Sequence, residues 1–266
     1  MTSSDNPDAP LPLLQPDEPP AFDVVNVHGR SNAVLVCDHA SNRVPRRLVN
    51  LGLTPEQLAD HIGWDPGAAE VARRLSILLD APLVLSGYSR LVIDCNRPLR
   101  SAESIAEHSA GVRIPGNCEL SVTDKTQRIN TLFLPYHRAI TQLLDDRSHR
   151  PNLLFSIHSF TPVLDNKPRP WHIGISHGRD RRLAALMLST LAQDTSIVIG
   201  DNQPYPIEDE FDYTLPVHGE SRGLLNIMIE IRQDGIRTTA GTAAWAARLA
   251  EAYRVVEAHA LKYNSG

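Results

Sequence analysis

Cysteine is scarce in this chain. Its 266 residues include three, Cys37, Cys95 and Cys118, and no two of them form a C-x-x-C pair. That excludes a cysteine-built zinc site and a disulfide framework, and reads as free thiols in a reducing compartment. An excess of positive charge is also lacking: 26 Lys and Arg stand against 31 Asp and Glu, for a net charge of -5. A nucleic-acid binder usually carries a basic footprint, so no nucleic-acid partner is expected. No apolar run reaches the roughly 20 residues that a membrane span needs, so no membrane partner is expected either. The opening segment "MTSSDNPDAPLPLLQPDEPP" has acids and prolines where a signal peptide would have a positive start and an apolar stretch. These absences point to a cytoplasmic protein with a flexible Pro-rich arm over residues 1–22. Several catalytic signatures are missing too: there is no H-E-x-x-H, no Walker loop and no G-x-G-x-x-G.

What is present fits a globular fold, with 42% hydrophobic and 21% charged residues. Ala33 to Cys37 is a short apolar run, hence a buried strand. "LTPEQLADHIGWD" opens a helix, with Thr54 as cap, Pro55 at the first helical position and Gln57 three after the cap. A second helix is expected over 66–79, with Ala69, Ala72, Leu75 and Leu79 on one face. "APLVLS", "RLVID", "NLLFSIHS", "WHIGIS", "TSIVIG" and "GLLNIMIEI" read as strands. Helices are expected over 123–147, 180–192 and 239–262, and long loops over 95–122 and 201–221. Strands alternating with helices give an α/β sandwich around a mixed, mostly parallel sheet. No domain boundary is visible after residue 22, so a single domain over 23–266 is expected.

In open α/β sheets, ligands bind beyond the carboxyl ends of the strands. Strand ends here carry unusual residues: Asp38-His39, His158-Ser159 and Glu230, with Asp94, Asn96 and Arg97 at a fourth. Imidazole is the commonest protein ligand for zinc, and a carboxylate is a regular third partner. A lone histidine at such a place is more often a hydrogen-bonded structural residue; two at corresponding strand ends, with carboxylates nearby, put a metal site on an equal footing with that reading. The third ligand stays open on these grounds. Asp65 is a candidate, yet it precedes Pro66 and could simply cap a helix. Asp38, Asn42 and His61 are the alternatives. Glu230 sits in an apolar strand and needs either a partner, with Arg232 two residues on, or a purpose as general base. "RLVIDCNRP" gathers Arg90, Asp94, Asn96 and Arg97. Arginine suits bidentate carboxylate binding, while Asp94 with Arg97 reads as a structural pair.

Taken in order, "CDHASN", "HIGWDPGA", "SRLVIDCNRP", "VRIPGN", "SIHSFTP", "WHIGI" and "RGLLNIMIEIRQD" resemble the N-formylglutamate amidohydrolase family, over about residues 30–260. The resemblance is to the branch of predicted N-formylglutamate amidohydrolases. It implies the phosphorylase/hydrolase-like fold of zinc carboxypeptidases and aspartoacylase, a three-layer α/β/α sandwich. It further implies one Zn2+ ion, hydrolysis of a linear C–N amide bond and a small-molecule N-acyl amino acid substrate. The leading expectation is N-formyl-L-glutamate cleaved to formate and glutamate. A different N-acyl amino acid, a carboxypeptidase-like activity and a non-catalytic binding protein on the same fold are the alternatives. In the carboxypeptidase pattern His158-Ser159 resembles a ligand strand and Glu230 the general base. Asn96-Arg97 resembles the pair that grips a substrate carboxylate, with Arg90 available for a second one. The carboxypeptidase His-x-x-Glu ligand pair is broken here, because Asn42 stands in the Glu slot after His39. The family's "WD" motif then supplies Asp65, giving His39, Asp65 and His158 as the implied zinc ligands.

Overall fold

The structure is a computed structural model that describes residues 11–150 and 152–263. Seven strands form one sheet in the order β1-β3-β2-β6-β11-β9-β10. They are β1 (Phe22–Val25), β2 (Ala33–Cys37), β3 (Leu83–Ser86), β6 (Leu153–Phe160), β9 (Ile173–Ser176), β10 (Ile199–Asp201) and β11 (Leu225–Arg232). The four pairings β3–β2, β2–β6, β6–β11 and β9–β10 are parallel, whereas β1–β3 and β11–β9 are antiparallel. The mixed, mostly parallel sheet expected of the sequence is therefore the observed one. Two short hairpins stand apart from it: β4 (His108–Ser109) with β5 (Val112–Arg113), and β7 (Val163–Leu164) with β8 (Lys167–Pro168).

Period-two alternation explains why the central strands are apolar throughout. Val34 and Val36 of β2 face a cluster with Tyr136, Ile140 and Leu215, while Ala33, Leu35 and Cys37 face one with Val71, Leu75, Met187 and Leu249. The first layer holds α4 (Leu134–Asp146) and α6 (Thr214–His218); the second holds α2 (Ala68–Leu79), α5 (Arg182–Leu191) and α7 (Thr239–Tyr263). In α7 the buried positions Trp245, Leu249, Tyr253, Val256 and Ala260 recur at three or four residues, one stripe laid on the sheet. Each such large side chain contributes on the order of 1.5–3 kcal/mol by leaving water. α1 (Pro55–Ala59) starts with the expected capping box between Thr54 and Gln57.

Four expectations need correction. "RLVID" is not a strand. Its Leu91, Val92 and Ile93 are buried in a separate cluster with Phe133 and Ile114, and its carbonyls are met by Asn117 and Arg128 side chains. A three-residue apolar run between two charged residues specifies burial, not extension, and here side-chain donors replace a ladder. The helix expected over 123–147 is α3 (Val122–Arg128) and α4 joined by a π turn, Ile129–Phe133. The segment 201–221 is not all loop, since it contains α6. The arm expected to be flexible over 1–22 is, over residues 11–22, laid on the body. Leu13 is fully buried, Tyr88 donates its hydroxyl to the Pro19 carbonyl at 2.7 Å, and β1 begins at Phe22. Its first ten residues lie outside the described residues. No described helix is long and apolar enough to cross a membrane.

Candidate active site

β2 ends at Cys37, and the next two residues, Asp38 and His39, are buried at the sheet edge. On β6, Ser156 and His158 share a face by period two, and parallel pairing sets Glu230 of β11 directly beside His158. Asp65 comes from the loop after α1. Its amide donates to the His39 carbonyl at 3.0 Å, which ties this loop to the end of β2. Gly67 makes the tie feasible. Its φ is +84°, and a Cβ there would stand 2.5 Å from the Ile236 carbonyl oxygen, so only glycine lets α2 start so soon after Asp65.

Three side chains converge. Ligand atoms of His39, Asp65 and His158, all buried, lie within 4.8 Å of one another. Both Nδ1 atoms face the same carboxylate: that of His158 is 2.9 Å from Asp65 Oδ2, and that of His39 is 3.5 Å from Oδ1. Both Nε2 atoms are held from behind. His39 Nε2 donates to Asp94 Oδ1 at 2.8 Å, and His158 Nε2 to Asp38 Oδ2 at 2.9 Å. The rear carboxylates are fixed in turn. Arg90 grips Asp94 Oδ2 through Nε and Nη2, at 3.0 and 2.7 Å. Asp38 accepts from Tyr136, Ser156 and Thr214 at 2.7–2.9 Å. Carboxylate–imidazole pairs of this kind fix tautomer and orientation around a metal.

Electrostatics fit a cation at the same spot. Burial alone would raise the Asp65 carboxyl, but the charge of His39 and the hydrogen bond from His158 outweigh it and hold it well below its usual range. Burial would lower His158, yet its hydrogen bonds to Asp38 and Asp65 push it well above 6.5. Asp94 is likewise lowered against burial, by Arg90 and His39. Of the five buried side-chain atoms without a hydrogen-bond partner among the described residues, two are here: His39 Nδ1, facing Asp65, and Glu230 Oε2. Buried groups left unpaired ask for an explanation, and a ligand between them supplies one. Two imidazole nitrogens and one carboxylate oxygen are the donor set of a catalytic zinc site with a position left open. Burial lifts the Glu230 carboxyl to about 7, against the lowering charge of His158.

The other expected residues fall as follows. Asp38 stands behind His158 rather than in the three-residue group. His61 reaches the cavity but bonds Asp60, and Asn42 does not line it. Asp65 is no helix cap, for its carboxylate also accepts from the Ser159 amide at 3.1 Å. Arg232 does not pair with Glu230. It sits at the strand end and turns away to Asp234 and the Arg169 carbonyl. Asp94 pairs with Arg90 and His39, not with Arg97, whose backbone amide alone reaches the Asp94 carbonyl. The Asn96 side chain is spent on Asp212 and on the amides of Tyr213 and Thr214. Arg97 donates Nε to Glu103 at 3.1 Å and Nη1 to the Phe211 carbonyl at 2.9 Å, with no bond from Nη2. Segment 174–178, "GISHG", has the G-x-S-x-G spacing of a nucleophile turn. Ser176 is nevertheless buried in β9 and donates to the Tyr205 carbonyl at 2.5 Å. His39, Asp65, His158, Glu230, Arg90 and Arg97 line a cavity of about 390 Å³, which Phe160, Leu164, Tyr205 and Phe211 also line.

Sheet order, buried His-Asp-His group and cavity together define an α/β sandwich with a candidate metal-type active site, and comparison with known proteins narrows this. A family model, N-formylglutamate amidohydrolase, matches residues 31–237. The chain belongs to the N-formylglutamate amidohydrolase family. Among solved structures it is similar to the gene product Atu2144 of Agrobacterium tumefaciens, at 38% identity and a TM-score of 0.89 over 92% of this chain and 98% of that one. It shares its fold with the N-formylglutamate amidohydrolase of Ralstonia eutropha JMP134, at 16% identity and a TM-score of 0.67 over 91% and 98%. No curated protein matches it.

Proposed function

We propose that the chain hydrolyses the amide bond of an N-acyl amino acid at one zinc ion held by His39, Asp65 and His158. The observation that carries this reading is the pair of unpartnered buried atoms, His39 Nδ1 and Glu230 Oε2, at one triad. When bound, zinc would acidify water and polarise the acyl oxygen. Glu230, in register with His158 and poised near pH 7, takes a proton from water and returns it to the departing amine. Arg97 offers its free Nη2 to the carboxylate beside the scissile nitrogen. Asn96 acts indirectly, holding the Tyr213 and Thr214 amides next to the Phe211 carbonyl that Arg97 meets. Arg90, braced on Asp94 with Nη1 3.8 Å from Asp65, belongs at the acyl end rather than at a second carboxylate.

N-formyl-L-glutamate, the family's namesake substrate, is the first compound to assay, in a cytoplasmic setting of free thiols. Metal analysis of the purified chain should return about one zinc per chain, lost on Asp65→Ala, with formate released from N-formyl-L-glutamate only by the loaded protein. A metal-free chain that still releases formate, or an Asp65→Ala protein with full zinc content, contradicts the reading.

A further inference from the structure

One buried charge near the cavity lacks a counter-ion. Arg169 follows the β7–β8 hairpin and is 8% exposed. Its Nη2 donates to the Tyr205 hydroxyl at 2.6 Å, and its guanidinium carbon lies 5.0 Å from the centre of the Tyr205 ring and 5.6 Å from that of Phe160. Nη1 is buried without any partner, and no carboxylate pairs with Arg169 among the described residues. Other arginines are also buried away from acids. Arg128 and Arg147, however, give their donors to carbonyls, at Val92 and Gly116 and at Gly29. Arg169 alone of these three has a donor left unpaired as well as a charge with no acid nearby, a costly arrangement unless an anion comes close to it.

Its two aromatic neighbours show where that anion enters, because Phe160 and Tyr205 both line the cavity. Phe160 lies two residues beyond His158 on the same face of β6, about 6–7 Å along the strand. That span is of the order of a glutamyl side chain extended away from its amide nitrogen. Tyr205 is set by its backbone. A Cβ on Gly174 would stand 1.9 Å from the Gln203 carbonyl oxygen, so the loop before Tyr205 presses on β9, and Ser176 holds the Tyr205 carbonyl. The Tyr205 hydroxyl accepts from Arg169, which leaves its own proton to donate into the cavity.

We infer that Tyr205 and Arg169 form the receptor for a second, side-chain carboxylate of the substrate. Tyr205 donates its O–H to that carboxylate, and the guanidinium behind it supplies the charge. Arg169 is thus a positioning residue acting through Tyr205. The inference rests on the amidohydrolase reading and selects acidic N-acyl amino acids within it.

The test uses the zinc-loaded full chain carrying Glu230→Gln, so that ligands bind without turnover. Calorimetry compares N-formyl-L-glutamate with the near-isosteric, uncharged N-formyl-L-glutamine. The expected result is at least tenfold tighter binding of the glutamate compound. Adding Tyr205→Phe, which keeps the ring and its stacking on Arg169, should shrink the ratio to within threefold; Arg169→Gln should do the same. In the otherwise wild-type enzyme the Tyr205→Phe loss should appear in KM for the glutamate compound more than in kcat. A ratio that Tyr205→Phe leaves unmoved overturns the inference, as does a parent protein that binds both compounds equally; in both cases the amidohydrolase reading stands. If neither compound binds the loaded protein and neither is cleaved by the wild type, that reading falls as well.

Discussion

Two histidine pairs are buried on this fold, and they behave oppositely. His39 and His158 sit edge to face at 4.8 Å between ring centres, enclosed by Asp38, Asp65 and Asp94. His137 and His218 stack at 5.2 Å among Phe133, Tyr136 and Tyr213. All four are almost inaccessible to solvent. In the second pair burial prevails, taking His137 down to about 4 against Asp38 and the Cys95 carbonyl, and, with the charges of His137 and Arg222, His218 to about 3 against Asp38 and Asp145. In the first, contact carboxylates reverse the sign for His158. Burial by itself therefore does not separate the two pairs; the acids that face the imidazole nitrogens do, and they make the first pair the candidate metal site. His137 Nε2 donates to the Cys95 carbonyl and His137 Nδ1 lies 3.0 Å from His218 Nε2, an arrangement for two neutral rings that fill space.

The sharpest way to break this contrast is Glu230→Gln. It should cut kcat by about 10²–10⁴-fold while zinc content stays near one per chain; steady-state kinetics beside metal analysis reads both, and near wild-type turnover removes Glu230 from its role. Next is Asp94→Asn, which keeps the shape but weakens the grip on His39 Nε2. Zinc affinity should fall about 10–100-fold by competition with a chelating dye, while His137→Gln stays within threefold of wild type. Equal losses from both would erase the distinction between the pairs.

The smallest effect concerns stability. An unfolded histidine titrates near 6.5, whereas folded His137 does so at about 4, so the unfolded chain binds a proton first as the pH falls. The stabilisation is complete above pH 6.5 and drains between 6.5 and 4, by about 3 kcal/mol for His137. Denaturant unfolding of His137→Gln across this window should show a shallower pH slope than wild type; an unchanged slope would mean that the ring titrates normally.

Legibility in the sequence followed how local each signal was. His39, His158 and Glu230 stood out because a polar residue closing an apolar strand is visible in a handful of letters. The parallel sheet was legible for the same reason. Asp65 was drawn in only by resemblance, since its neighbours Pro66 and Gly67 also suit a helix start. The parts played by Asp38 and Asp94 were hidden, because they depend on which imidazole nitrogen each meets across 120 and 55 positions of sequence. "RLVID" misled because burial in a helical cluster and burial in a sheet ask for the same residues. Arg169 and Tyr205, 36 positions apart, gave no sign until the loops were packed.

The pairing of Glu230 with His158 is made by backbone rungs between two eight-residue strands. A shift of one position in that ladder would turn Glu230 to the far side of the sheet. The geometry proposed for bond breaking is thus written into main-chain hydrogen bonding, whereas the cavity walls at 161–169 and 202–213 are connections held by side chains such as Asn96 and Asp212. If the proposed chemistry holds, a single-residue insertion between Leu225 and Glu230 would silence it, while changes in the walls would act on the choice of compound.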